Sequence, residues 1–152
     1  MLTFLQLGTI ELIIFMEKIY TIYTDGAYSS ARNCGGVGLI ILNSDGDMIV
    51  NTSFTFKDTT NNRMELTAVI IGLRCIKKPI DKVIIYTDSM YVIGCATLNW
   101  KRKKNTDLWK IFDNQMQITK KLVKDIEFKH VKGHNGDKFN ELCDVMAVNA
   151  TL

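Results

Sequence analysis

The feature that most constrains this chain is a change of hydrophobic period near residue 59. Before it, β-branched and aromatic residues run in short extended stretches; after it, apolar residues recur at helical spacing. Residues 19–24 alternate and stop at Asp25-Gly26, and residues 36–42 form a second apolar run. Asn43-Ser44-Asp45-Gly46-Asp47 carries a turn signal before a third run over 48–56. Three strands joined by short turns predict an antiparallel meander, with a loop over residues 27–36. Beyond it, Thr59-Thr60-Asn61-Asn62 offers several N-caps, and Asn62 with Glu65 has capping-box spacing. Leu66, Val69, Ile70 and Leu73 then mark one face of a helix that Pro79 ends.

The rest of the chain alternates between the two periods. Residues 83–87 read as a buried strand and 89–98 as a helix. Asn105-Thr106-Asp107 caps a longer helix reaching about Val123, residues 125–131 alternate like a strand, and 138–148 close the chain as a helix. The order βββαβααβα predicts one α/β domain: a mixed five-stranded sheet, an antiparallel meander plus parallel strands, with helices on both faces.

A chain of 152 residues buries enough surface to fold without a disulfide or structural metal. Its four cysteines are scattered without a CxxC pair, which suits a reduced, intracellular protein. Residues 1–15 are apolar, lack the basic flank of a secretory signal, and are interrupted by Glu11, which argues against a membrane span. They are expected to be an extension outside a core domain of residues 16–152, with Met16 as a natural start. The net charge of +3 hides an asymmetry: residues 101–138 hold ten lysines and one arginine against five acids, and the remainder carries eight basic and eleven acidic residues. Such a split fits a polyanion-facing surface beside a carboxylate patch, or simply solvated lysine-rich helices.

Two strands end in the same word, Tyr23-Thr24-Asp25 and Tyr86-Thr87-Asp88. Ligands bind beyond the carboxyl ends of strands in open α/β sheets, so parallel neighbours would present both carboxylates at one edge. A turn residue before Gly26 and an N-cap before Ser89 explain each aspartate singly. Glu65 and Asp144 also stand among apolar neighbours, where a carboxylate is costly unless paired or bound to a cation. Four such groups suit hard divalent ions.

The words Tyr23-Thr24-Asp25-Gly26, Thr60-Asn61-Asn62-Arg63-Met64-Glu65-Leu66, Tyr86-Thr87-Asp88-Ser89, Val131-Lys132-Gly133-His134 and Asn140-Glu141-Leu142-Cys143-Asp144 together resemble the type 1 ribonuclease H family, in family order. The resemblance covers residue 18 to about 150. It implies a ribonuclease H-like fold and endonucleolytic cleavage of the RNA strand of RNA–DNA hybrids, leaving 5′-phosphate and 3′-hydroxyl ends. It also implies that Asp25, Glu65, Asp88 and Asp144 hold two Mg2+ ions (Mn2+ as a substitute), about 3.5–4 Å apart in two-metal sites generally. Asp25 would be shared, Glu65 and Asp88 on one ion and Asp144 on the other. His134, between glycines in a loop, matches the family's loop histidine, serving proton transfer or product release. Thr60, Asn61, Asn62 and Ser89 match substrate-side positions suited to sensing a 2′-hydroxyl. His130 is expected in a strand with no role.

Two stretches depart from the family pattern. Ala31 stands where many members have asparagine, so Arg32 is expected to substitute as a phosphate contact. The basic helical protrusion of many members is missing: only Lys101-Arg102-Lys103-Lys104 separates Trp100 from Asn105. That cluster, flanked by Trp100 and Trp109, is expected to meet the DNA-strand phosphates; a solvated turn is the plainer reading. The hybrid is the expected partner of a monomer, with no membrane contact. A binding module without chemistry and a junction resolvase or transposase on the same fold are the competing readings.

Overall fold

A computed structural model of the chain describes residues 2–7, 10–15, 17–132 and 136–152. Strands β1 (Leu2–Leu7) and β2 (Ile10–Phe15) pair antiparallel as a two-stranded sheet of their own. Met16, the expected start, lies outside the described residues. The remaining elements are β3 (Ile19–Ser29), β4 (Cys34–Leu42), β5 (Met48–Lys57), α1 (Asn61–Arg74), β6 (Ile80–Thr87), α2 (Met90–Thr97), α3 (Thr106–Lys120), β7 (Val123–His130) and α4 (Lys138–Asn149).

The five later strands form one mixed sheet in the order β5-β4-β3-β6-β7, antiparallel across the meander and parallel from β3 to β7. The expected loop over 27–36 shrinks to a four-residue turn. β3 runs on to Ser29 and pairs with Cys34, with Asn33 turning the chain at a φ of 45°. Asparagine tolerates that left-handed geometry without glycine.

The main core lies between the sheet and α1 to α3, where Ile22, Leu39, Leu66, Val69, Leu73, Val83, Ile85, Val92 and Phe112 are buried. Leu66, Val69, Ile70 and Leu73 of α1 face this core, as their spacing predicts. α1 ends at Arg74, well short of Pro79. Its cap also differs from the expected box: Thr60 Oγ1 accepts from the Arg63 amide at 3.3 Å, and Glu65 turns inward. On the opposite face α4 packs against β3 and β4, with Cys143 and Ala147 buried.

Glycines set how closely the helices approach. A Cβ on Gly38 would fall 2.3 Å from the carbonyl oxygen of Cys143, and one on Gly36 2.0 Å from that of Ala147. On the other face a Cβ on Gly26 would meet the Glu65 amide nitrogen at 2.4 Å. No real Cβ tolerates these separations, so α1 and α4 both sit directly on backbone.

Candidate active site

β3 and β6 pair from Ile19↔Lys82 to Tyr23↔Tyr86 and then part. The gap opens one residue after each tyrosine-threonine pair, which is where Asp25 and Asp88 stand. Thr24 Oγ1 donates to the Tyr86 carbonyl at 3.2 Å and fixes the fork. The Thr87 carbonyl accepts from the Val131 amide at 2.9 Å, and Thr87 Oγ1 from the Ser89 amide at 3.1 Å. Asp88 is thereby held in a short bend before α2, and Ser89 caps that helix by accepting from the Val92 amide at 3.2 Å. The repeated word has a structural meaning: the threonines brace the strand ends and the aspartates face the opening.

Glu65 reaches the same opening because α1 begins against Gly26. One carboxylate oxygen each of Asp25, Glu65 and Asp88 lies within 4.8 Å of the others. Asp25 is 2% exposed and Glu65 6%. Asp144, on the stretch of α4 that rests on Gly38, stands outside that tight trio but close enough to raise the pKa of both Asp25 and Asp88.

The electrostatics of the cluster are unfavourable as it stands. Burial and the neighbouring Asp88 charge push Asp25 far above the usual carboxylate range, and burial with the Asp25 charge does the same to Glu65. Asp88 is also raised, chiefly by burial. At such separations a pair of anions repels by about 3 kcal/mol at an effective dielectric of ~20. Among the described residues, none of the ion pairs involves these carboxylates. The Gly26 amide donates to Asp25 Oδ1 at 2.9 Å, yet Glu65 Oε2 is buried with no hydrogen-bond partner. Hard oxygens that converge with no basic side chain paired to them among the described residues, one of them orphaned, form a donor set that fits a divalent ion of the magnesium class.

One neighbour had no role on sequence grounds. His130, the last residue of β7, places Nε2 3.2 Å from the backbone oxygen of Asp88, and its charge lowers the Asp88 pKa. Its period-two position in a strand signals exposure, and only the parallel register Thr87↔His130 reveals the contact. His134, the loop histidine, lies outside the described residues.

The proposed substrate residues divide into two groups. Thr60, Asn61 and Asn62 are exposed at the start of α1, and Arg32 is exposed on the β3–β4 turn. Trp100 is 48% exposed, and Lys101, Lys103 and Lys104 are exposed beside it. Arg102, grouped with those lysines on sequence, is committed elsewhere: it bonds to Asp113 at 2.8 Å and lies over the ring of Trp109. Trp109 does not flank the cluster on the surface; it is 2% exposed.

A mixed sheet that forks at a cluster of carboxylates able to hold a divalent ion is the frame of a metal-dependent hydrolase. The family model described as RNase H matches residues 17–151. Ribonuclease H of Trichodesmium erythraeum is 38% identical over 142 residues, covering 86% of this chain and 87% of that protein. Ribonuclease H of Chlorobium luteolum is 38% identical over 149 residues, covering 89% and 97%. Among solved structures, RNase H1 of the halophilic archaeon Halobacterium salinarum shares the fold with a TM-score of 0.70 at 24% identity, over 87% of this chain and 96% of that one. The chain belongs to the ribonuclease H family.

Proposed function

We propose that the chain is an endonuclease that hydrolyses the RNA strand of RNA–DNA hybrids, adding water across the P–O3′ bond to leave 5′-phosphate and 3′-hydroxyl ends. Family membership supports the reaction, and the observation that carries the site is the convergence of Asp25, Glu65 and Asp88 with Asp144 beside them. These four would hold two Mg2+ ions, Asp25 shared, with Mn2+ as the alternative. When bound, such ions supply Lewis-acid polarisation of phosphate oxygens and a nucleophile at neutral pH.

The chain's own contributions follow from position. The converging carboxylates of Asp25, Glu65 and Asp88 would hold the metal at the sheet edge, and the reacting phosphate would be placed there through it. We read Thr60, Asn61, Asn62 and Ser89 as substrate contacts, the asparagines sensing the 2′-hydroxyl that separates RNA from DNA. Thr60 and Ser89 keep their capping bonds while doing so. His134 serves proton transfer and product release. Arg32, Trp100, Lys101, Lys103 and Lys104 meet the backbone of the hybrid, whose charge density favours such contacts. We read residues 16–152 as the catalytic domain of a monomer acting inside the cell, and residues 1–15 as an extension outside it. No helix among the described residues is long and apolar enough to cross a membrane.

The test is cleavage of labelled RNA–DNA, RNA–RNA and DNA–DNA duplexes in Mg2+, by the wild type and by Asp88→Asn. Cleavage of the RNA in the hybrid alone, lost in the variant, is expected. Binding without cleavage in both Mg2+ and Mn2+ would reduce the chain to a binding module. Cutting of branched or plain DNA would make it a different nuclease.

A further inference from the structure

Residues 98–105 join α2 to α3 in the place where many relatives are expected to carry a basic protrusion. The segment is short, yet it is anchored along its length. It leaves α2 through Asn99 at a φ of 57° and enters α3 through Asn105 at a φ of 58°. Trp100 lies flat on α2: a Cβ on Gly94 would fall 2.1 Å from its indole. Asn105 Nδ2 donates to the Tyr91 hydroxyl at 3.0 Å, the same oxygen that accepts from Trp109 Nε1 at 2.9 Å. Arg63 Nη1 donates to Asn105 Oδ1 at 3.3 Å. Since Arg63 precedes Glu65 by two residues on α1, this end of the loop is registered to the carboxylate cluster.

Arg102 holds the middle. Its Nε donates to the carbonyl of Cys95 at 3.1 Å, in the last turn of α2, where carbonyls lack intrahelical partners. Its Nη1 donates to both oxygens of Asp113 at 2.8 Å. The guanidinium lies 4.2 Å from the ring centre of Trp109 and 5.8 Å from that of Phe112. One planar group thus ties α2, the loop and α3 together. Lysine has no plane to stack and no fork to spread over two acceptors, so it cannot replace it. To reach a phosphate, Arg102 would have to give up all of these contacts. Lys101, Lys103 and Lys104 are exposed, and among the described residues none of the ion pairs involves them.

We propose that Arg102 is a positioning residue that presets the loop, so that Lys101, Lys103 and Lys104 meet the nucleic-acid backbone as a fixed row, and that it does not itself contact a phosphate. The proposal rests on the reading that this loop meets the hybrid. Its physical content is preorganisation: a row of cations already in place loses less freedom on binding than a loose tether carrying the same charge.

The experiment is steady-state cleavage of an RNA–DNA hybrid across a salt series, with thermal melts to check folding. Replacing Lys101, Lys103 and Lys104 together by alanine tests the underlying reading. It should raise KM and flatten the log–log salt dependence by roughly 2 to 3, at about 0.9 per phosphate contact. An unchanged KM and slope would remove the loop from the interface. Arg102→Lys and Asp113→Asn test the positioning role. Arg102→Lys, which loses the stack on Trp109, should raise KM about tenfold and Asp113→Asn severalfold, with the loss falling on KM more than kcat and the slope unchanged. In the triple-lysine background both should lose their effect on KM, because the clamp acts through those lysines. The proposal is overturned if Asp113→Asn lowers KM or steepens the slope, as a released phosphate-binding arginine would. It is equally overturned if either variant keeps the wild-type KM, or if their effects add to those of the lysines. Asp113 is half exposed, so its amide variant keeps the test open should Arg102→Lys misfold.

Discussion

The two charged regions of this molecule are built on opposite electrostatic terms. At the sheet fork, buried Asp25 and Glu65 converge with half-buried Asp88, and each carboxyl is raised above its ordinary range. At the start of α3, Asp107 accepts from both guanidinium nitrogens of Arg63, at 2.9 and 2.8 Å, and its pKa falls to about 2. The first region carries an electrostatic penalty that a divalent cation would lift. The second is satisfied within the chain. The contrast offers a criterion for nominating residues: like charges gathered without partners point to chemistry, and paired charges on an exposed helix start point to shape.

The sharpest way to break the contrast is to remove one member of the cluster. Asp88→Asn should lower the cleavage rate by at least about a thousandfold, several kcal/mol of transition-state stabilisation, while leaving the fold intact by circular dichroism. Next comes the packing that assembles the cluster. Gly38→Ala drives a methyl into the Cys143 carbonyl, so it should destabilise the protein by about 1–3 kcal/mol in urea unfolding. It should also weaken Mg2+ binding through displaced Asp144, whereas Gly46→Ala, with nothing within 4 Å, should leave Mg2+ binding unchanged. His134→Ala should slow turnover by a smaller factor, on the order of a hundredfold or less, the loss expected for the proton-transfer or product-release role proposed for it. Mg2+ affinity by calorimetry should not follow it. The smallest effect belongs to the paired region: Asp107→Asn should leave cleavage unchanged and shift the melting temperature only slightly, since exposed ion pairs contribute little.

Much of this was legible in the residues, for local reasons. The meander, the helical face of Leu66 to Leu73 and the aspartates after Tyr-Thr all follow from period and strand ends, which depend on near neighbours. What could not be read depends on contacts between distant elements. Glu65 was legible in part, since its apolar neighbours pointed it inward while its spacing also suited a capping box, and the approach of α1 to Gly26 decides between the two. Gly36 and Gly38 resembled ordinary strand residues until α4 lay on them. Arg102 counted as one more cation beside three lysines, because its partners, Cys95, Trp109 and Asp113, lie on two different helices. His130 gained a neighbour at Asp88 through a parallel register that no local pattern encodes.

The central claim is that the fork is destabilised by its own carboxylates until a divalent cation neutralises them. Thermal unfolding of the wild type and Asp25→Asn, from pH 5 to pH 9 with and without Mg2+, tests it most directly. A carboxyl raised in the folded state binds more protons there than in the unfolded chain. Stability is therefore full below about pH 4 and is lost as pH rises through the folded value, about 8 for Asp25. Without metal the wild type should lose melting temperature across that window, by roughly 2–4 °C per kcal/mol. Asp25→Asn should melt higher at pH 8 and show a flatter profile. Mg2+ should restore the wild type and do little for the variant. A metal-free wild type that gains stability from pH 5 to 8, or an Asp25→Asn variant that melts below it at pH 8, would contradict the account.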